Sequence, residues 1–209
     1  MKKMLFGVLL VVGIGCLGAN KIIKLPKPDM KGGKPLMQCL ALRKSSRSFS
    51  EKMLSDQQLS NLLWAAWGIN RSGGMRTAPS AHNNQDMMVY VAMKSGVYLY
   101  DAKQNVLRLV LAEDIRKKCG IQEFHAVAPV DLIFVSNLLK LRGGDVPMNN
   151  FYAATHVGYI SQNVYLYCAS EGLATVVCNW VDKKALAKIL KLPATTKIQL
   201  TQPVGFPEK

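Results

Sequence analysis

The stretch from about Asn149 to Glu171 limits what this chain can fold into more than any other. It contains no proline, its only glycine is Gly158, and Ala153, Val157, Ile160, Val164 and Tyr167 recur at helical spacing. Ala154, Tyr165 and Cys168 make further faces of the same helix apolar. A helix that is apolar on several sides must be buried on several sides. A chain of 209 residues has room for one core of the usual domain size, roughly 100–200 residues, so a subunit interface is a natural cover for a face the core leaves over.

The pattern around this helix is mixed. A short helix is expected over 37–44, and Ser55-Asp56-Gln57-Gln58 is a capping box that opens a helix with Leu59, Leu62, Leu63, Ala66 and Trp67 on one face. From Met87 to Val110 the runs MMVYVAM, VYLYD and VLRLV are separated by Lys94-Ser95-Gly96 and by a polar stretch, which predicts an antiparallel meander. A strand at 130–136, a strand near 174–180, a helix near 182–190 and a strand near 196–202 complete an α+β domain over 37–209. Residues 20–36, carrying Pro26, Pro28, Gly32, Gly33 and Pro35 among lysines, read as an extended linker. No strand is followed by a GxGxxG turn, so a Rossmann dinucleotide site has no support.

The first nineteen residues read as a signal peptide: Lys2 and Lys3 form a basic n-region, Leu5 to Leu17 an apolar run, and Leu17-Gly18-Ala19 a small-residue cleavage site. Export to the periplasm is the expectation. The apolar run falls short of the roughly 20 residues of a comfortable span, so membrane attachment would come only from an uncleaved signal or from lipidation at Cys16. Cleavage lowers the formal charge from +14 to 14 − 2 = +12. The cations are dispersed through the chain without an aromatic-interleaved basic motif, which argues against a nucleic-acid partner. Cys39, Cys119, Cys168 and Cys178 form no CxxC pair and read as buried thiols. His82, His125 and His156 have no metal-ligand spacing and read as structural.

Three segments carry chemistry. Arg43-Lys44-Ser45-Ser46-Arg47-Ser48-Phe49 places cations and hydroxyls where they can hold a phosphate, although a solvated basic helix end would look the same. Arg76-Thr77-Ala78-Pro79-Ser80-Ala81-His82-Asn83-Asn84-Gln85 is a polar loop at a sheet edge, whose amides can satisfy both donors and acceptors of a heterocycle. Glu171-Gly172-Leu173-Ala174 ends the long helix on a glycine, which terminates helices routinely and also lets backbone approach a flat ring.

In this order and at these separations, the three segments resemble the nitroreductase family. RKSSRSF corresponds to the family's opening basic motif, PSAHNNQ to its P-S-x-x-N-x-Q segment and EGLAT to its E-G-L element, and with the closing QPVGFP the resemblance spans about 37–207. LLWAAWGINR at 62–71 is most similar to the branch that includes thiazoline-forming peptide dehydrogenases. The resemblance implies an intertwined homodimer built on a mainly antiparallel sheet flanked by helices. It implies FMN as cofactor and NAD(P)H as co-substrate, with hydride passed through flavin N5 to a small electron-poor acceptor. It assigns Arg43, Lys44, Ser45 and Arg47 to the FMN phosphate, ribityl chain and pyrimidine edge. Pro79, Ser80, Ala81 and Asn83 would come from the second subunit, Glu171 and Gly172 would lie over the ring, and Lys209 is the candidate for the family's last phosphate cation. Two other readings remain open: a flavin-dependent dehydrogenase of a modified peptide, and an exported flavin-binding protein without catalysis.

Overall fold

Seven antiparallel strands form the centre of the computed structural model, which describes residues 21–208. In chain order the elements are β1 (Ile22–Lys24), α1 (Leu36–Leu42), α2 (Asp56–Trp67), β2 (Ile69–Arg71), β3 (Met75–Arg76), β4 (Met87–Met93), β5 (Gly96–Asp101), β6 (Val106–Leu111), α3 (Phe124–Val127), β7 (Val130–Asn137), α4 (Val146–Glu171), β8 (Ala174–Thr175), α5 (Lys183–Ile189) and β9 (Thr196–Gly205). The sheet order is β1-β6-β5-β4-β7-β9-β8, and β2 and β3 form a separate two-stranded ribbon. This is the α+β architecture expected. The proposed signal peptide lies outside the described residues.

Both faces of the sheet are covered, which is why its central strands are near-continuous apolar runs. In β7, Leu132 and Phe134 face the core beneath α2 and α4, whereas Ile133 and Val135 face a second core with Leu186 and Leu190. That alternation is the two-residue period of a strand. The expected meander is present as β4, β5 and β6. Its first turn requires glycine: Gly96 has φ +133°, and a Cβ there would fall 2.4 Å from the Leu111 carbonyl oxygen.

Residues 21–35 differ from the expected linker. β1 pairs with β6, Leu25 is buried, and the Pro26 carbonyl accepts from Ser60 Oγ and Asn105 Nδ2. Lys34 N donates to Ser170 Oγ at 2.8 Å. The Lys, Pro and Gly content hid this segment because a three-residue edge strand has too few residues to show a period, and lysines are what protected edges carry. The strand expected over 174–180 is only Ala174–Thr175, with one further bridge from Cys178 to Thr201. Between them, Val177 N donates to the Tyr165 phenol and leaves the ladder.

The long helix α4 starts three residues earlier than expected. Asp145 caps it through Met148 N, Pro147 sits in its first turn, and Gly172 ends it at φ 69° in the left-handed region. Ala153, Val157, Ile160, Val164, Tyr165 and Cys168 are buried within the chain. Phe151 (63% exposed), Ala154, Gly158 and Tyr159 (46%) form a stripe that the chain leaves uncovered. The surplus apolar surface is therefore on this side of the helix.

Candidate functional site

After α1 the chain turns extended at Arg43, whose N–H donates to the Cys39 carbonyl. Ser46 N then donates to the Thr175 carbonyl and Ser50 N to the Phe206 carbonyl, so residues 43–50 are tied beside the ends of β8 and β9. The Tyr165 hydroxyl lies 2.8 Å from Ser45 Oγ and accepts from Val177 N at 2.9 Å. One phenol thus joins α4, the basic segment and the loop beyond β8. The Arg43 guanidinium stacks on the same ring, 5.3 Å from its centroid.

These elements enclose a cleft of about 290 Å³ lined by Lys34, Leu42, Lys44, Ser46, Tyr165, Cys168, Ala169, Gly172, Leu173, Ala174 and Pro207. Its floor is apolar. Burial pushes the Cys168 thiol up, so this group lines the floor as a neutral side chain. Gly172 presents bare backbone to open space, since a Cβ there would meet nothing within 4 Å.

Among the described residues Arg43, Lys44 and Arg47 pair with no carboxylate; the ion pairs there involve Arg108, Arg116, His125 and His156. Of the sequence-predicted residues of this segment, Lys44 lines the cleft, Arg43 and Ser45 reach it through Tyr165, and Arg47 is exposed outside its lining. Cations and serine hydroxyls of one segment next to an apolar cleft fit a ligand that has a phosphate at one end and a flat apolar body. Flavin mononucleotide has both parts. Lys34, Ser46 and Tyr165 belong to this half of the site and were not identified from sequence. Ser46 lies within the basic motif itself, whereas Lys34 was hidden in the segment read as a linker and Tyr165 among the apolar residues of α4.

Glu171 is not in this cleft. It accepts from Ser170 Oγ and lines a neighbouring groove with Asp29, Asn61, Trp64 and Tyr167, with Gly33 and Lys34 running between the two. Lys209 lies outside the described residues.

The loop bearing Pro79, Ser80, Ala81 and Asn83 sits elsewhere. Pro79, Ser80 and Ala81 line a second groove of about 360 Å³ with Phe151, Tyr152, Thr155, His156 and Tyr159, and Asn83 is exposed on the same loop. Ala81 N donates to His156 Nε2 at 2.7 Å. Anchors His156 and Tyr165 are nine residues apart, which is two and a half turns at about 3.6 residues per turn and about 14 Å of rise. The two half-sites therefore occupy opposite faces of α4.

Both buried histidines are engaged. His156 pairs with Asp86 and His125 with Asp131. Burial pushes Asp131 up to about 6 against the pull of His125. Burial would lower His125, but its hydrogen bond to Asp131, the Asp131 charge and the neighbouring Cys178 together outweigh it and carry the imidazole to about 9. Both groups of the pair are buried inside the fold, and neither lines the cleft.

The nitroreductase family model matches residues 40–206. A provisionally named nitroreductase of Methanocaldococcus jannaschii is 29% identical over 180 residues, 81% of this chain and 90% of that protein. A crystal structure of a provisionally named nitroreductase from Ralstonia eutropha JMP134 is 42% identical over 90% of each chain, with a TM-score of 0.85. The NADPH:FMN oxidoreductase of Vibrio harveyi, solved with NAD+, is 18% identical and matches in fold, with a TM-score of 0.63 over 83% of this chain and 69% of that one.

Proposed function

The chain belongs to the nitroreductase family, and from that premise we propose that it is an FMN-dependent oxidoreductase that oxidises NAD(P)H and reduces a small electron-poor acceptor such as a nitro compound or quinone. The observation that carries this reading is a cleft with an apolar floor, bare backbone at Gly172 and Lys34 and Lys44 in its lining, with Arg43 over the ring of its Tyr165 and Arg47 on the same basic segment. When bound, FMN supplies hydride acceptance and donation at one ring atom, so the chain needs no side-chain nucleophile. Overall, NAD(P)H gives up a hydride, and the acceptor gains two electrons and two protons, one of them from solvent.

The protein's part is to bind, orient and exclude water. Arg43 and Lys44 would hold the phosphate, and Ser45, placed beside the Tyr165 hydroxyl, would meet the ribityl chain. Arg47 would oppose negative charge on the reduced ring. Leu42, Cys168, Leu173 and Ala174 would keep water from one ring face. A cleft of about 290 Å³ is at the lower edge of ligand sites, roughly 300–1,000 Å³, and Pro79, Ser80, Ala81 and Asn83 of a second copy supply the other wall. The opposite placement of the two half-sites on α4 supports that homodimer, as does the uncovered stripe of Phe151 and Tyr159.

One purification tests the proposal. The protein is expected to carry or take up FMN with its visible absorbance, and anaerobic NADH or NADPH is expected to bleach it. Failure to bind added FMN refutes the cofactor assignment. Bound flavin that neither nucleotide bleaches refutes the reductase activity.

A further inference from the structure

The second half-site hangs on a buried relay. Asp86, Ser136 and His156 are all at most 1% exposed. Asp86 accepts from Ser136 Oγ at 2.6 Å through one carboxylate oxygen and pairs with His156 Nδ1 at 2.6 Å through the other. On its far side, His156 Nε2 faces the Ala81 amide at 2.7 Å. A backbone amide can only donate, so Nε2 must carry the lone pair and the proton of a neutral ring must be on Nδ1. Tyr152 lies parallel to the imidazole, 6.2 Å between centroids.

The loop that this relay holds is strained. His82, Asn83 and Gln85 have φ of 50°, 50° and 45°, three non-glycine residues in the left-handed region within four positions. Such backbone persists only where its surroundings over-determine it. The turn's own bonds, Asn83 N to the Ser80 carbonyl, Asn84 N to the Ala81 carbonyl and Gln85 N to Ser80 Oγ, all converge on Ser80 and Ala81. Arg76 and Lys140 hold Gln85 at the far end. The point that His156 grips is therefore the origin of the turn.

We propose that His156 is a positioning residue for the cofactor: as the neutral Nδ1–H tautomer braced by Asp86 and Ser136, it fixes the Ala81 amide and with it the turn by which the Pro79–Asn83 loop meets FMN. The proposal rests on the FMN reading given above. With the proton on Nε2 instead, Ala81 N–H would lose its acceptor and face another donor. Tyr152 stacks on the ring, and the His82 ring meets Tyr152 edge-on at 6.0 Å.

The test combines imidazole 15N spectra and Ala81 amide exchange on the purified protein with FMN titrations, for the wild type, His156→Gln and His156→Leu. Gln can still accept a hydrogen bond, whereas Leu cannot. The expected results are an unprotonated Nε2 in the wild type and, in H156L, a fall in Ala81 protection together with a loss of FMN affinity of roughly tenfold or more, both partly restored in H156Q. A protonated Nε2 in the wild type overturns the proposal even if neither variant folds. Ala81 protection that persists in H156L while FMN is lost also overturns it. Wild-type FMN affinity in H156L overturns it while leaving the FMN reading intact. If the wild type binds no FMN, the cofactor reading fails and the proposal fails with it.

Discussion

Gly172 separates two explanations of the same residue, helix termination and cofactor approach. Its φ of 69° is left-handed and its neighbourhood is open, with no atom within 4 Å of a Cβ position. Gly172→Ala therefore costs backbone strain and no clash, about 1–2 kcal/mol. At about 2–4 °C per kcal/mol for a domain of this size, the FMN-free protein should melt roughly 2–8 °C lower. The added methyl projects at the cleft, however, where a ring in close contact would meet it, and overpacking of that kind costs about 1–3 kcal/mol. FMN affinity should then fall by about 5- to 150-fold, beyond anything the shift in melting temperature explains. Circular dichroism melts without FMN and quenching of flavin fluorescence on titration measure the two quantities separately. A G172A protein that melts lower by the expected amount and binds FMN as tightly as the wild type would refute the close approach and leave Gly172 as a helix cap alone.

Replacing Arg43, Lys44 or Arg47 singly with Gln should weaken FMN by roughly 10- to 150-fold, the worth of a charge-assisted bond of about 1.5–3 kcal/mol; riboflavin, which lacks the phosphate, should lose little, and parallel titrations of the two ligands check this. Removing one partner of the buried His125–Asp131 pair by His125→Gln should cost about 3–5 kcal/mol in urea unfolding. Because folding raises His125 from 6.5 to about 9, its contribution is fully present below about pH 6.5 and is lost as pH rises through about 9. Unfolding curves of wild type and H125Q across that window should converge at the alkaline end. Phe151→Glu on the exposed stripe of α4 should shift sedimentation toward monomer and remove bound FMN while the isolated chain stays folded.

The parts of the fold that declared themselves did so through strong local signals. The β4 to β6 meander was legible from its apolar runs and its turn glycine, α2 from its capping box, and α4 from its length and the breadth of its apolar surface. β1 was not, because three residues at a sheet edge carry no period. The shortness of β8 was equally hidden, since Val176 and Val177 favour a strand but Val177 N is taken by the Tyr165 phenol. In the site, the basic segment and the polar loop were legible as motifs. The Asp86–His156 contact spans 70 positions, and nothing local in the sequence announces it. Tyr165 looked like one more apolar residue of a buried helix, yet its hydroxyl joins three segments. Such pairings are set by how α4 lies across the sheet, which is a property of the packed chain.

The central claim is that the flavin site is assembled from opposite faces of α4 belonging to two copies of the chain, and subunit mixing tests it most directly. One variant lacks the cations at Arg43, Lys44 and Arg47; the other has its Pro79–Asn83 loop disabled at Ser80 and Asn83. Neither binds FMN alone on this account. After dissociation and random reassociation about half of the dimers are mixed, each with one intact site, so FMN should return at about a quarter of all sites. Recovery near that fraction is the predicted result. No recovery from mixed dimers that demonstrably form would mean that each site is built within a single chain, and the account would be wrong.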